Sequence, residues 1–408
     1  MLKHNRRKII NDPVYGFINI HNELIYDIIQ HPYFQRLRRI KQLGLSNYVY
    51  PGANHTRFEH SLGASHLMNS AVEVLKYKGI DISDAEKEGV LIAILLHDLG
   101  HSPFSHTLEH SLVKNISHER ITQILMEKIN SEFDNKLSLG IEIFKNRYPK
   151  KFLHGLVSGQ LDMDRLDYLS RDSFFTGVSE GVVGFDRIIR MLTVVGNDIA
   201  VEEKGIYSIE KFLIARRLMY WQVYLHKTVV AVEMVLVRIL ERATELYEKE
   251  NLNIPETLLH FFKNKIDKIS KFDELTINKF VSLDDNDIMF AVKTWSLEKD
   301  KILSFLCKSL LNRNIPKLIL GKTKFSNQQI QEKKEIAKKN FNVNELEVNY
   351  LVYSDKISNK AYQKNTGEPI NILLKSGEIS DIADASDISN ISTLSEQVDK
   401  YFLSYFEF

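Results

Sequence analysis

A single cysteine, Cys307, is present among 408 residues. That excludes an internal disulfide framework and fits a reducing compartment. It follows the helix-like run Ile302–Leu306 and reads as buried apolar filler. Neither sign of charge dominates: 54 Lys and Arg against 53 Asp and Glu leave a formal net charge of +1. Whole-chain electrostatics therefore select no particular partner, and nucleic acid is a possible but unfavoured one. No apolar run approaches the ~20 residues of a membrane span. The basic start, Met1–Lys8, runs into Asn11-Asp12-Pro13 and not into an apolar signal segment. No repeat of fixed period is visible. A cytoplasmic protein without a membrane partner is expected.

The composition is that of a globular chain, 44% hydrophobic and 26% charged. Its histidines are unevenly placed: His55, His60, His66, His97, His101, His106, His110 and His118 are most of the 14 in the chain. Packing alone does not call for such crowding, although His55 and His66 read as ordinary surface residues. The stretch from Thr56 to His101 organises the rest. Thr56-x-x-Glu59 is a capping box that places His60 in the first turns of a helix. Ser83-x-x-Glu86 caps a second helix, whose run Val90–Leu96 is apolar all round and so expected to be buried. That buried run ends directly in His97-Asp98, before the helix stops at Gly100 and Pro103. An unpaired carboxylate there is expensive, so the two residues read as an ion pair or a satisfied core histidine on one side, and as a metal-ligand pair on the other. Imidazole nitrogen and carboxylate oxygen together suit divalent ions such as Mn, Fe, Zn or Mg.

Further along, Leu161–Asp172 has an apolar stripe of Met163, Leu166 and Leu169. Asp164, Asp167, Tyr168, Arg171 and Asp172 share a polar face at helical spacing. Local ion pairs on a solvated face are one reading. The other is that Asp164 completes a set of two histidines and two aspartates around one ion, leaving room for water and substrate.

The architecture expected is mainly α: a helical core with short β-hairpins, plus a small C-terminal α+β region. Residues 1–250 form the core, 251–322 a helical extension packed on it, and 323–408 the small α+β region. Lys8–Ile20 reads as a hairpin or loop, Glu23–Ile29 and Pro32–Leu43 as helices, the second carrying Arg36, Arg38, Arg39 and Lys41. Leu192–Val201 is a hairpin around Gly196-Asn197. Ser208 to about Glu250 is one long helix, with Arg216, Tyr220, Tyr224 and Lys227 along one face. Lys322–Lys339 reads as an exposed helix or linker. Glu347–Tyr353 and Ile370–Lys375 read as strands, and Thr393 to about Tyr405 as a closing helix.

The order His60…His97-Asp98…Asp164 is the signature of HD-domain metal-dependent phosphohydrolases. Several longer strings go further: Asn11-Asp12-Pro13, Phe34–Arg38, Lys41–Leu43, Pro51–Ala53, Arg57–Gly63, His97–His101, Pro103–His106 and Asp164–Asp172. In these the chain, over roughly Lys8–Lys227, resembles the deoxynucleoside triphosphate triphosphohydrolases. That family includes bacterial enzymes and the vertebrate protein that joins a sterile-alpha-motif to an HD domain. The resemblance implies hydrolysis of a dNTP to deoxynucleoside and triphosphate by attack of a metal-bound water on the α-phosphorus. It implies one divalent ion per subunit (Mn, Fe, Mg, Zn or Ni) held by His60, His97, Asp98 and Asp164.

By the same resemblance His101, His106, Glu109 and His118 are catalytic, with His106 and Glu109 protonating the leaving group. Gln42 and Leu43 lie under the sugar, and Arg57, Asp162, Arg165, Tyr168, Asp172, Arg216 and Tyr224 bind substrate; Lys227, on the same helix face as Arg216, is expected to join Arg57, Arg165 and Arg216 in holding the triphosphate. Lys8, Asn11, Gln35 and Arg38 match an allosteric nucleotide site between subunits of a homo-oligomer, a dimer or tetramer. Two positions depart from the vertebrate pattern: Arg165 replaces a lysine, and Gln30 replaces an acidic residue of the guanine-binding activator site. Alternatives to this reading are an HD phosphohydrolase of nucleoside monophosphates or cyclic nucleotides, and a non-catalytic nucleotide- or nucleic-acid-binding regulator.

Overall fold

The computed structural model describes residues 8–20, 22–108, 112–250, 252–360, 362, 369–387, 394 and 396–407. Among them the fold is mainly helical with small sheets, as the apolar periodicity anticipates. No helix of the described residues is long and apolar enough to cross a membrane.

The N-terminal hairpin pairs β1 (Lys8–Asp12) with β2 (Gly16–Ile20), antiparallel, from Lys8↔Ile20 to Asp12↔Gly16. Asp12 builds the turn, its Oδ1 accepting from Val14 N–H at 2.9 Å and Tyr15 N–H at 3.0 Å. Both expected capped helices form, over Arg57–Tyr77 and Asp84–Leu96. Ser83 and Glu86 exchange bonds of 2.7 and 3.2 Å, and Thr56 N–H donates to Glu59 at 2.8 Å. Ile94, Leu95 and Leu96 are fully buried, each contributing roughly 1.5–3 kcal/mol by leaving water.

Glycine sets the close approaches. A Cβ on Gly63 would lie 2.0 Å from Asp167 Oδ1, so only glycine lets the Met163–Thr176 helix reach the Arg57 helix there. A Cβ on Gly100 would lie 2.0 Å from His118 O, at the start of the His118–Glu132 helix.

Four expectations give way to tertiary structure. The helix from Pro32 ends at Gln35 and passes into a 3-10 turn, Arg36–Arg39. Arg36 is 1% exposed, donating to Leu283 O at 2.7 Å and His101 O at 3.0 Å. It satisfies buried carbonyls and is not part of a basic face. The long helix expected from Ser208 is two, Ile206–Met219 and Lys227–Glu250, separated by a π-turn at Tyr220–Tyr224. Glu347–Tyr350 is a turn, and strand begins only at Val352.

The closing helix is instead β9 (Val398–Tyr405), between β5 (Lys317–Gly321) and β6 (Val352–Asn359). Two waiting strand edges outweigh a weak helical pattern; Thr393 lies outside the described residues. The hairpin β3 (Leu192–Val195) and β4 (Asp198–Glu202) forms as expected. It continues through β7 (Asn371–Leu373), parallel to β4, into β8 (Ile379–Asp381).

Candidate metal and active site

Three helix ends converge. His60 lies in the first turn of the Arg57 helix, His97-Asp98 follows the Asp84 helix, and Asp164 lies in the first turn of the Met163 helix. His60 Nε2 is 3.3 Å from His97 Nε2 and 3.1 Å from Asp164 Oδ1. His97 Nε2 is 3.5 Å from the same oxygen and 3.3 Å from Asp98 Oδ1. One atom from each of His60, His97 and Asp164 lies within 4.8 Å of the others.

The remaining ring nitrogens are occupied. His60 Nδ1 faces Asp167 Oδ2 at 2.7 Å and His97 Nδ1 faces Ile94 O at 2.6 Å. Protons held there turn both Nε2 lone pairs toward one point. Two imidazoles and one or two carboxylates form a donor set that fits a divalent cation. Asp98, the fourth expected ligand, also meets Arg57 Nη1 at 2.5 Å and His101 Nδ1 at 3.2 Å.

Behind His60 runs a buried chain. Asp167 accepts from Arg171 Nε and Nη2 at 2.9 and 3.0 Å, and Arg171 Nη1 reaches Asp12 of the hairpin at 2.8 Å. Burial would lower the His60 imidazole, but Asp164 and Asp167 outweigh it and raise it to about 10, so that an ion bound here would have to displace the Nε2 proton to reach the lone pair. Burial opposes ionisation of Asp98, yet Arg57 and the neighbouring imidazoles hold it well below the usual carboxylate range. Burial, and then Arg57, keep His101 well below the ordinary imidazole value, so it is neutral near pH 7.

The cluster opens into a cavity of about 680 Å³. Its lining includes the expected Gln42, Leu43, Arg57, His101, His118, Arg165, Tyr168, Asp172 and Tyr224. His118 stacks near His101, ring centroids 4.1 Å apart. Arg57 Nε donates to Ser105 Oγ at 2.8 Å. Asp172 is shared by Tyr224 OH at 2.7 Å and His55 Nε2 at 2.8 Å. His55 is thus not the surface residue expected: it is 2% exposed and stacked on Phe175.

Three expected substrate residues do not line the cavity. Asp162 is a buried N-cap that accepts from Arg165 N–H at 2.7 Å and pairs with the Arg165 guanidinium, positioning it. Arg216 is buried, and its Nε and Nη1 have no hydrogen-bond partner among the described residues. Lys227 is exposed, because the π-turn removes it from the face of Tyr220 and Tyr224. Of His106 only the backbone is described, in the turn Ser105–Thr107, and Glu109 lies outside the described residues. Lys8 and Asn11 are exposed on β1. Gln35 bonds Ile29 O at 2.7 Å and accepts from Arg38 at 2.9 Å.

Sequence reasoning missed Glu233, which lines the cavity from the second turn of the Lys227–Glu250 helix, beside Thr107. Nothing at helical spacing distinguishes it from a surface acid. Burial pushes its carboxyl up to about 7. The folded protein therefore keeps this proton where the unfolded chain loses it, so stability falls as pH rises from roughly 4.3 to 7 and then levels. Glu233→Gln removes that penalty. Thermal melts should show it stabilising the protein by roughly 1–3 kcal/mol at pH 8 and much less at pH 5. An equal effect at both pH values contradicts this assignment.

Two adjoining family profiles match the chain: the HD domain over residues 57–172 and the HD associated region over 183–261. An uncharacterized protein of Bacillus subtilis, YwfO, is 34% identical over 395 residues, covering 93% of this chain and 88% of its own. The human deoxynucleoside triphosphate triphosphohydrolase SAMHD1 is 29% identical over 68% of this chain, which spans 50% of that protein. A crystal structure of a phosphohydrolase from Bacteroides thetaiotaomicron superposes with a TM-score of 0.94 at 52% identity, covering 98% of this chain and 100% of the other.

Proposed function

The chain belongs to the HD-domain family of metal-dependent phosphohydrolases, and from that premise we propose that it hydrolyses deoxynucleoside triphosphates to deoxynucleoside and inorganic triphosphate. The observation that carries this reading is one cavity of about 680 Å³ joining the His97, Asp98 and Asp164 carboxylate–imidazole cluster, two arginines and a wall of tyrosines. His60, His97, Asp98 and Asp164 would hold a divalent ion (Mn, Fe, Mg, Zn or Ni), which when bound would supply Lewis-acid chemistry.

The chain's own groups bind and orient. Arg57, tethered by Ser105, and Arg165, tethered by Asp162, present guanidinium forks shaped for phosphate oxygens. Neutral His101 and its neighbour His118 can accept or relay a proton at the reacting phosphate. Tyr220 and Tyr224, 5.1 Å apart, and Tyr168, 6.2 Å from Tyr224, give the nucleoside an aromatic wall. Gln42 and Leu43 form the floor for the sugar. His106, on its turn, and Glu109 are assigned protonation of the leaving 5′-oxygen. Lys8, Asn11, Gln35 and Arg38 are proposed as a separate nucleotide site in a dimer or tetramer.

The apolar Leu43 offers a 2′-hydroxyl no hydrogen bond. With Mn²⁺ and the full set of deoxy- and ribonucleotides, a preference for dNTP over NTP of at least ~10-fold is expected. Equal rates on dGTP and GTP remove the sugar assignment, and turnover of monophosphates alone removes the dNTPase reading.

A further inference from the structure

Two loops frame the cavity. One runs through Lys41 to Gly44 and carries Gln42 and Leu43; the other runs from Leu99 to Ser105 and carries His101. Neither is helix or strand at its critical point. The second is held in an uncommon conformation, with Phe104 and Ser105 both at φ 52°. Left-handed backbone at two successive side-chain-bearing residues persists only where surrounding contacts enforce it.

Those contacts come from a distant part of the chain. Asp285 is 6% exposed. Its Oδ1 accepts from Phe104 N–H at 2.8 Å, across 181 positions, and its Oδ2 accepts from Lys41 N–H at 2.9 Å, across 244 positions. The two residues before it act on the same region. Leu283 O accepts from Arg36 Nε, whose Nη1 binds His101 O, and Asp284 pairs with Arg39. Between the loops, Ser105 Oγ accepts from Arg57 and donates to Lys41 O at 3.3 Å. Arg57 in turn holds Asp98.

We propose that Asp285 is a positioning residue that fixes the spacing between the Lys41–Gly44 loop and the Leu99–Ser105 loop, and through Ser105 the orientation of Arg57 over the reacting phosphate. Only an ionised carboxylate offers an acceptor to both N–H groups; an amide offers one. The positioning of two loops is independent of which phosphate ester is cleaved, although its catalytic consequence rests on the reading given above.

The test is hydrogen exchange by mass spectrometry on the full-length, Mn²⁺-supplied protein, comparing wild type, Asp285→Ala, Asp285→Asn and the exposed neighbour Asn286→Ala. The Ala variant should speed exchange in both loops by roughly 10-fold or more. The isosteric Asn variant should free one loop, and carries the test if the Ala variant does not fold. Exchange in the Arg57 and Met163 helices and metal content should stay at wild-type values, as should every segment of Asn286→Ala. With a nucleotide that is turned over, kcat should fall by ~10–100-fold with KM changed much less, the scale on which a small misplacement acts. Unchanged exchange in both loops in the Asn variant overturns the proposal. So does a uniform rise across the whole chain, which marks a contribution to stability alone. Because exchange needs no substrate, a protein inert toward every dNTP still decides the clamp separately from the reaction.

Discussion

Asp98→Asn is expected to abolish turnover, by at least roughly 10²–10³-fold, the cost of losing one well-placed electrostatic group. The substitution keeps the volume but removes the charge that meets Arg57 at 2.5 Å, His101 at 3.2 Å and His97 at 3.3 Å. An amide nitrogen there would face one of those donors and could not serve as a ligand. Bound metal should fall in parallel, while the helical fold, set by the buried Ile94–Leu96 run, remains. Rate and elemental analysis on the same preparation check this. Full metal content with wild-type rate would contradict the ligand assignment.

Asp167→Ala has the next largest expected effect, and it acts on metal affinity and folding together. Asp167 is fully buried between His60 Nδ1 at 2.7 Å and the buried Arg171 guanidinium. Without it the His60 ring loses the partner that sets its tautomer, which typically weakens metal binding by ~10–100-fold. Arg171 then keeps only Asp12, and breaking a buried pair on one side costs about 3–5 kcal/mol. Metal titration and thermal unfolding should both respond. Gly63→Ala, whose Cβ would lie 2.0 Å from Asp167 Oδ1, should lower stability through the same contact. Wild-type metal affinity and unfolding in Asp167→Ala would show that the chain from Asp12 to His60 carries no energy.

The candidate metal cluster was legible because buried polar groups are costly without a purpose. A buried apolar helix that ends in His97-Asp98 has to place two polar groups where water is scarce. The caps at Thr56 and Ser83 were legible because an N-cap is a local device, complete within four residues. What stayed hidden depends on contacts far apart in sequence. Asp167 and Arg171, four apart on one helix, have the spacing of a surface ion pair, and only the approach of Gly63 and Asp12 makes them a buried chain.

Arg36 read as one cation in a basic run, yet it sits among carbonyls of Leu99, His101 and Leu283. Nothing local singles out Asp285 within the helical extension, and its two partners lie 181 and 244 positions away. The π-turn at Tyr220–Tyr224 left no mark in the helical pattern. It nevertheless decides that the two tyrosines, and not Lys227, face the cavity. Strand β9 was missed for the same reason: it needs the edges of β5 and β6, which no local pattern announces.

The proposed cleavage at the α-phosphorus of a dNTP is tested most directly by phosphorus NMR of the reaction mixture. Purified protein with Mn²⁺ and dGTP, dATP, dCTP or TTP should release intact inorganic triphosphate in equal amount to deoxynucleoside, with no nucleoside mono- or diphosphate accumulating. Orthophosphate or pyrophosphate as the first product, or no turnover of any dNTP by metal-loaded protein, would contradict it.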